Sequence, residues 1–150
     1  MISYPVHFQA VSHCEPGINS SWRVQSSGYD TQCSVPKEFE GCGECFSPED
    51  FFLMSVQNCF VATFKVFAQY SRLNFESLNV SAKLKVDKDS EGKPWMEEVH
   101  LEINLQGIQE NDLRKAQTLI QKTLDNGFIL RSVKSRIQTS VTMNKDHEIC

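Results

Sequence analysis

The segment Ser47-Pro48-Glu49-Asp50, followed by the apolar run Phe51 to Tyr70, constrains this chain more than any other. Ser47 can cap a helix, Pro48 suits its first position, and Glu49 and Asp50 sit well at the positive end of the dipole. The helix this predicts runs to about Ser71 and is apolar nearly all round: Phe51, Phe52, Leu53, Met54, Val56, Phe60, Val61, Phe64, Val66, Phe67. Such a helix is buried on most sides. Gln57, Asn58, Lys65 and Gln69 interrupt it and argue against a membrane span. Asn58, Lys65 and Gln69 share one stripe, whereas Cys59 shares another with Phe52, Val56 and Val66. At 150 residues the chain reads as a single domain, 1–150, able to bury roughly two thirds of its unfolded surface. That is too little to cover a greasy helix of this length, so a homodimer that buries it against a second copy is expected.

The other elements fall in groups. Tyr4 to Val11 alternates loosely, and Trp22 to Ser26 and Thr31 to Val35 are short strand candidates. Glu38 to Cys45 is a glycine-bearing loop. Leu78, Val80, Ala82, Leu84 and Val86 alternate with mostly polar residues, as do Val99, Leu101, Ile103 and Leu105, with 87–94 connecting them. This reads as an antiparallel hairpin with one buried face. Leu113, Ala116, Leu119, Ile120 and Leu124 mark a second helix that stops at Gly127, and a final strand is expected from Phe128 to Met143. Grouped strands rather than one-for-one alternation with helices define an α+β class.

The net charge is −4 with no Lys/Arg cluster, so neither nucleic acid nor an anionic membrane is an expected partner. The first ten residues lack the basic-then-apolar pattern of a secretory signal, and a cytoplasmic location is expected. In such a compartment the six cysteines, Cys14, Cys33, Cys42, Cys45, Cys59 and Cys150, are buried, metal-bound or catalytic rather than a disulfide framework. Cys59 reads either as a small buried hydrophobe or as an activated thiolate whose activator comes from another segment or protomer. Glu49 is either a favourable N-terminal carboxylate or one that positions an arginine. It lies ten residues before Cys59, about 15 Å along a straight helix, so the two meet only across antiparallel copies. Arg23, the only arginine before Glu49, is a candidate for that arginine or an ordinary strand residue. Cys42-Gly43-Glu44-Cys45 is a lone CxxC: weak as a zinc signal even with Cys14 and Cys33, more plausible as a dithiol, and commonly just two loop cysteines. His7, His13, His100 and His147 show no metal spacing, and no phosphate loop, nucleophile elbow or dinucleotide fingerprint occurs. Neither a cofactor nor a metal is expected.

Phe39 to Phe52, with its glycine turn and Ser-Pro-Glu helix start, then Asn58-Cys59-Phe60, then Phe128 to Ser135, resembles the OsmC/Ohr family over roughly residues 38–140. The resemblance implies an intertwined α+β homodimer, antiparallel sheets around a long central helix, with two sites at the interface. It implies reduction of organic hydroperoxides or hydrogen peroxide with electrons from an external thiol. Carried over, Cys59 is the nucleophile, Glu49 the arginine-orienting carboxylate and Arg23 the candidate arginine. Two positions depart from the family: Gly127 stands where the resolving cysteine sits, and Arg131 where an asparagine sits. An oxidised Cys59 would then be reduced directly by an external thiol, or resolved by Cys42, Cys45 or Cys150. The departures also allow a non-catalytic dimer binding a small hydrophobic ligand, or a protein whose CxxC responds to redox state.

Overall fold

The computed structural model describes residues 3–144. The chain forms two compact units, Met1–Phe52 and Leu53–Cys150. In the first, β1 (Ala10–His13), β2 (Trp22–Ser26) and β3 (Tyr29–Cys33) form an antiparallel sheet in that order. Ser27 and Gly28, with φ of 52° and 83°, make a two-residue connection from β2 to β3. Positive φ at both central positions is the geometry that matches the twist of paired strands. This Ser-Gly turn brings the third strand forward of its expected place at Thr31 to Val35. The expected strand over Tyr4 to Val11 shrinks to Ala10–His13; Pro5 has no N–H to give to a ladder.

The helix α1 (Pro48–Ser71) spans the range its sequence predicts. Its start is a closed capping arrangement. The Asp50 N–H donates to Ser47 Oγ at 3.0 Å, while the Ser47 N–H and hydroxyl both donate to Asp50 Oδ2 at 2.8 and 2.9 Å.

In the second unit, β4 (Ser77–Lys88) and β5 (Pro94–Gln106) form a long antiparallel hairpin. The loop between them is tied by Asp89 Oδ1, which accepts from the backbone of Glu91 and Lys93 at 2.9 Å each. α2 (Leu113–Asn126) and α3 (Phe128–Ser132) lead to β6 (Arg136–Met143), which lies parallel to β5. The second sheet is therefore mixed, in the order β4-β5-β6. The expectation of one strand from Phe128 to Met143 is corrected here. Gly127 leaves α2 in an extended conformation and its carbonyl accepts from the Arg131 N–H at 2.9 Å, which starts a new helical turn. That turn puts Leu130 inward and leaves Phe128 exposed; the strand begins only after Ser135.

The core is built from two matched stripes. Val99, Leu101, Ile103 and Leu105 on one face of β5 are at most 1% exposed. Val56, Phe60, Phe64 and Ala68 recur every fourth residue on α1 and are buried as deeply. Each such valine, leucine, isoleucine or phenylalanine side chain contributes about 1.5–3 kcal/mol. Phe64 stacks on Phe60 and meets the edge of Phe75. Gln57 Nε2 donates to the Val80 carbonyl, fixing α1 against β4. Ala116, Leu119, Ile120 and Thr123 bury one stripe of α2, and Lys122 Nζ lies 4.5 Å over the Phe67 ring of α1.

Within one chain α1 is buried along this stripe alone, so burial on most sides does not hold for the protomer. Val66 is 50% exposed and Tyr70 84%. By length and composition α1 is apolar enough to cross a membrane; its stripe from Val56 to Ala68 is instead buried within the second unit, where Gln57 bonds to β4.

Candidate functional site

Cys59 follows the solvent-facing Asn58, whose side chain folds back onto the Met54 carbonyl at 2.9 Å, and precedes the fully buried Phe60. Its thiol is half-buried at the margin of the core stripe. What lies against it is Gly127. A Cβ placed on Gly127 would stand 3.0 Å from Cys59 Sγ, 2.7 Å from Leu130 Cδ1 and 3.3 Å from Leu130 Cβ. The turn between α2 and α3 thus brings a side-chain-free position to the cysteine sulfur, and the inward Leu130 of α3 borders the same position. Gly127 itself is buried. Sequence reasoning named both residues, but their contact follows from the break between α2 and α3, which it missed. Leu130 is the neighbour that no motif signalled. Arg131 is exposed and its backbone closes the first turn of α3.

In the first unit, Glu49 is half-buried on the opening turn of α1. Its Oε2 is out of contact with solvent and has no hydrogen-bond partner among the described residues. A buried carboxylate oxygen without a donor is costly, and such groups hold a place for a cation or donor. Arg23 on β2 does not fill that place here: its Nε donates to Asp30 Oδ2 at 3.0 Å in an ion pair that is about half exposed on both sides. Exposed pairs of this kind contribute about 0–1 kcal/mol.

The loop bearing the CxxC is clamped by backbone. Gly41 donates to the Pro36 carbonyl and Gly43 to that of Val35, at 3.0 and 3.1 Å. A Cβ on Gly41 would fall 2.0 Å from the Val35 oxygen, so only glycine fits. Ser34 Oγ accepts from the Cys45 N–H at 3.2 Å, and Cys33 pairs with Phe46 in an isolated bridge. Cys42 and Cys45 are half-buried free thiols. Cys33 is 2% exposed. Its burial pushes its thiol pKa up, and the nearby Glu49, Cys45 and Asp50 add to the rise against a lowering by the Ser34 N–H. Burial and the acidic neighbours thus both work against ionisation of Cys33. Among the described residues no group of three or more His, Cys, Asp or Glu side chains could hold a metal. Cys150 and His147 lie outside the described residues. An open cleft of about 690 Å³ on the second sheet, lined by Val80 and Ile103 as well as by polar residues such as Asn79, Glu102 and Thr142, does not include Cys59.

A three-stranded sheet, a long apolar helix, a hairpin, two further helices and a last strand define a small α+β class, and here the long helix carries Cys59 beside the turn that leads into the last strand. The family model for OsmC-like protein matches residues 41–142, and the chain belongs to that family. It is 21% identical over 134 residues to the uncharacterized protein YmaD of Bacillus subtilis, covering 88% of this chain and 89% of that one. It is similar in structure to an OsmC-like protein of unknown function from Vibrio cholerae, with a TM-score of 0.79 at 18% identity, covering 92% of this chain and all of that one. It is also similar to an organic hydroperoxide resistance protein from Elizabethkingia anophelis with thiocyanate bound, with a TM-score of 0.74 at 20% identity, over 97% of this chain and all of that one.

Proposed function

We propose that this chain is a homodimeric, cytoplasmic thiol peroxidase that reduces organic hydroperoxides or hydrogen peroxide through Cys59, with an external thiol as the electron source. The observation that carries the reading is the contact between Cys59 Sγ and the backbone of Gly127. It puts the half-buried thiol beside the residue that the family resemblance aligns with the resolving position. The Cys59 thiolate attacks the distal peroxide oxygen; the O–O bond breaks, the alcohol leaves with a proton, and the sulfur becomes a sulfenic acid. A first external thiol condenses with the sulfenic acid to a mixed disulfide and releases water. A second thiol then displaces the first and restores Cys59. Glu49 is the positioning residue whose orphan oxygen receives a guanidinium, and Arg23 is the candidate donor once its exposed pair with Asp30 opens. Neither a metal nor a cofactor takes part, and nucleic acid and membrane are not partners.

The test is consumption of cumene hydroperoxide with excess dithiothreitol by the wild-type protein and by Cys59→Ser. Turnover lost in the variant is expected, whereas equal rates in both, or none in either, would overturn the reading. One observation favours a second reading: Leu130 and Cys59 Sγ both border the side-chain-free point at Gly127, and Phe128, the next residue, is 68% exposed. That apolar surround suits a small hydrophobic ligand, whose binding would survive Cys59→Ser without turnover.

A further inference from the structure

The chain has a net charge of −4, yet the elements that flank Cys59 carry mostly cations. Past its first turn α1 has one charged residue, Lys65. The stretch 120–135, which forms the end of α2, all of α3 and the loop after it, has Lys122, Arg131 and Lys134 against Asp125. Lys122 Nζ is held over the Phe67 ring of α1. Arg131 and Lys134 are exposed, and among the described residues neither is in an ion pair. The start of β5 runs beside this loop, where Ser135 Oγ donates to the Met96 carbonyl at 2.6 Å. Its acids are already taken: Glu97 pairs with Lys85 at 2.7 Å and Glu98 with Arg136 at 2.6 Å.

Arg131 is the cation tied most directly to the neighbour of the sulfur. Its N–H donates to the Gly127 carbonyl at 2.9 Å, and a Cβ on Gly127 would stand 3.0 Å from Cys59 Sγ. That is the point a partner thiol's carbon takes when its sulfur bonds to Cys59. Gly127 offers no sulfur there, so the sulfur comes with the electron donor. Leu130 Cδ1, 2.7 Å from the same point, is the flexible tip that gives way. A helical side chain covers the turn on the N-terminal side of its own residue, and Gly127 is the residue that starts α3. Arg131 thus borders the approach to the thiol.

We propose that Arg131, assisted by Lys134, makes this site selective for a small electron-donor thiol that carries a carboxylate. The guanidinium takes the carboxylate through paired hydrogen bonds, and this sets the donor sulfur against Cys59 Sγ. The donor's S–H bond breaks, its sulfur bonds to the Cys59 sulfenic sulfur, and the hydroxyl leaves with that proton as water. A second donor molecule then takes the first away as its disulfide and returns a proton to Cys59. A neutral thiol follows the same steps without this hold.

This rests on the reading of Cys59 as the peroxide-reducing thiol, and the experiment separates the two. Cumene hydroperoxide turnover is measured at low ionic strength with mercaptopropionate and with mercaptoethanol, for wild type, Arg131→Asn, Arg131→Lys and the double variant Arg131→Asn/Lys134→Asn. In parallel, alkylation of Cys59 by iodoacetate and by iodoacetamide is followed by peptide mass, with the exposed Cys14 as internal reference. Arg131→Asn is expected to lower kcat/KM for mercaptopropionate at least about threefold and the double variant further, with mercaptoethanol unchanged and Arg131→Lys retaining most of the preference. The loss shrinks at about 0.5 M salt. The ratio of iodoacetate to iodoacetamide rates falls in the same variants at Cys59 and not at Cys14. Thiol dependence and alkylation ratio that are the same in wild type and variants overturn the inference. A loss seen with a fatty-acid hydroperoxide and mercaptoethanol, but not with mercaptopropionate, puts the carboxylate on the oxidant and overturns the assignment to the donor. Absence of turnover in the wild type overturns the peroxidase reading; a fall in the alkylation ratio at Cys59 then still upholds Arg131 as the residue that selects anions, and an unchanged ratio overturns that as well.

Discussion

At the scale of single residues, the most informative position is a missing side chain. Across a disulfide, the Cβ of one cysteine sits about 3.0 Å from the sulfur of the other, given an S–S bond near 2.04 Å. The Cβ that Gly127 lacks would stand 3.0 Å from Cys59 Sγ. Gly127→Cys should therefore close a disulfide to Cys59 after one equivalent of hydroperoxide, seen as a loss of two hydrogens in the intact mass. An oxygen adduct alone would show that the geometry is not reached. Leu130 must yield for this, since its Cδ1 lies 2.7 Å from the same point.

Cys33 gives a second expectation at this scale. Its folded thiol holds its proton above the ordinary thiol range, while in the unfolded chain it ionises within that range. Its contribution to stability is thus fully present below the unfolded value and lost as pH rises through the folded one. Urea midpoints measured from pH 7 to 10 should fall more steeply for wild type than for Cys33→Ala. Parallel curves would remove Cys33 as the cause. The sequence offered Cys33 as one of six cysteines and a weak zinc-ligand candidate, because burial is a property of how Ser34 and Phe46 pair around it.

At the scale of elements, the parts that declared themselves were those with local chemistry. Ser47 and Asp50 close the start of α1 with groups three residues apart, so the helix start was readable to the residue. Ser47→Ala should cost about 1 kcal/mol in urea unfolding, and an unchanged midpoint would mean that the cap is replaced by solvent. The β4–β5 hairpin was equally legible from its alternation. α3 was not. Phe128-Ile129-Leu130 is a short apolar run that suits strand or helix, and only the Arg131 N–H reaching the Gly127 carbonyl decides it. The same decision sets what stands beside the thiol. The pairing of Cys59 with Gly127 was therefore legible through family resemblance and not through periodicity.

At the scale of the whole molecule, much of the apolar surface of α1, and of the first sheet, is left uncovered by the chain's own residues. The sequence anticipated this as an excess of apolar helix for 150 residues. It could not anticipate which edges remain open, because that depends on β6 running parallel to β5 at the rim of its sheet. That parallel pair carries a consequence in time as well as in space. The β4–β5 hairpin closes across a few residues, but Arg136 meets Glu98 from 38 positions further along the chain. Closure entropy for so distant a contact is met before the contact gives anything back. β6 therefore docks late, after the β4–β5 hairpin it pairs with, and the uncharged edge, residues 137–143, comes into being only once the rest of its sheet is already made.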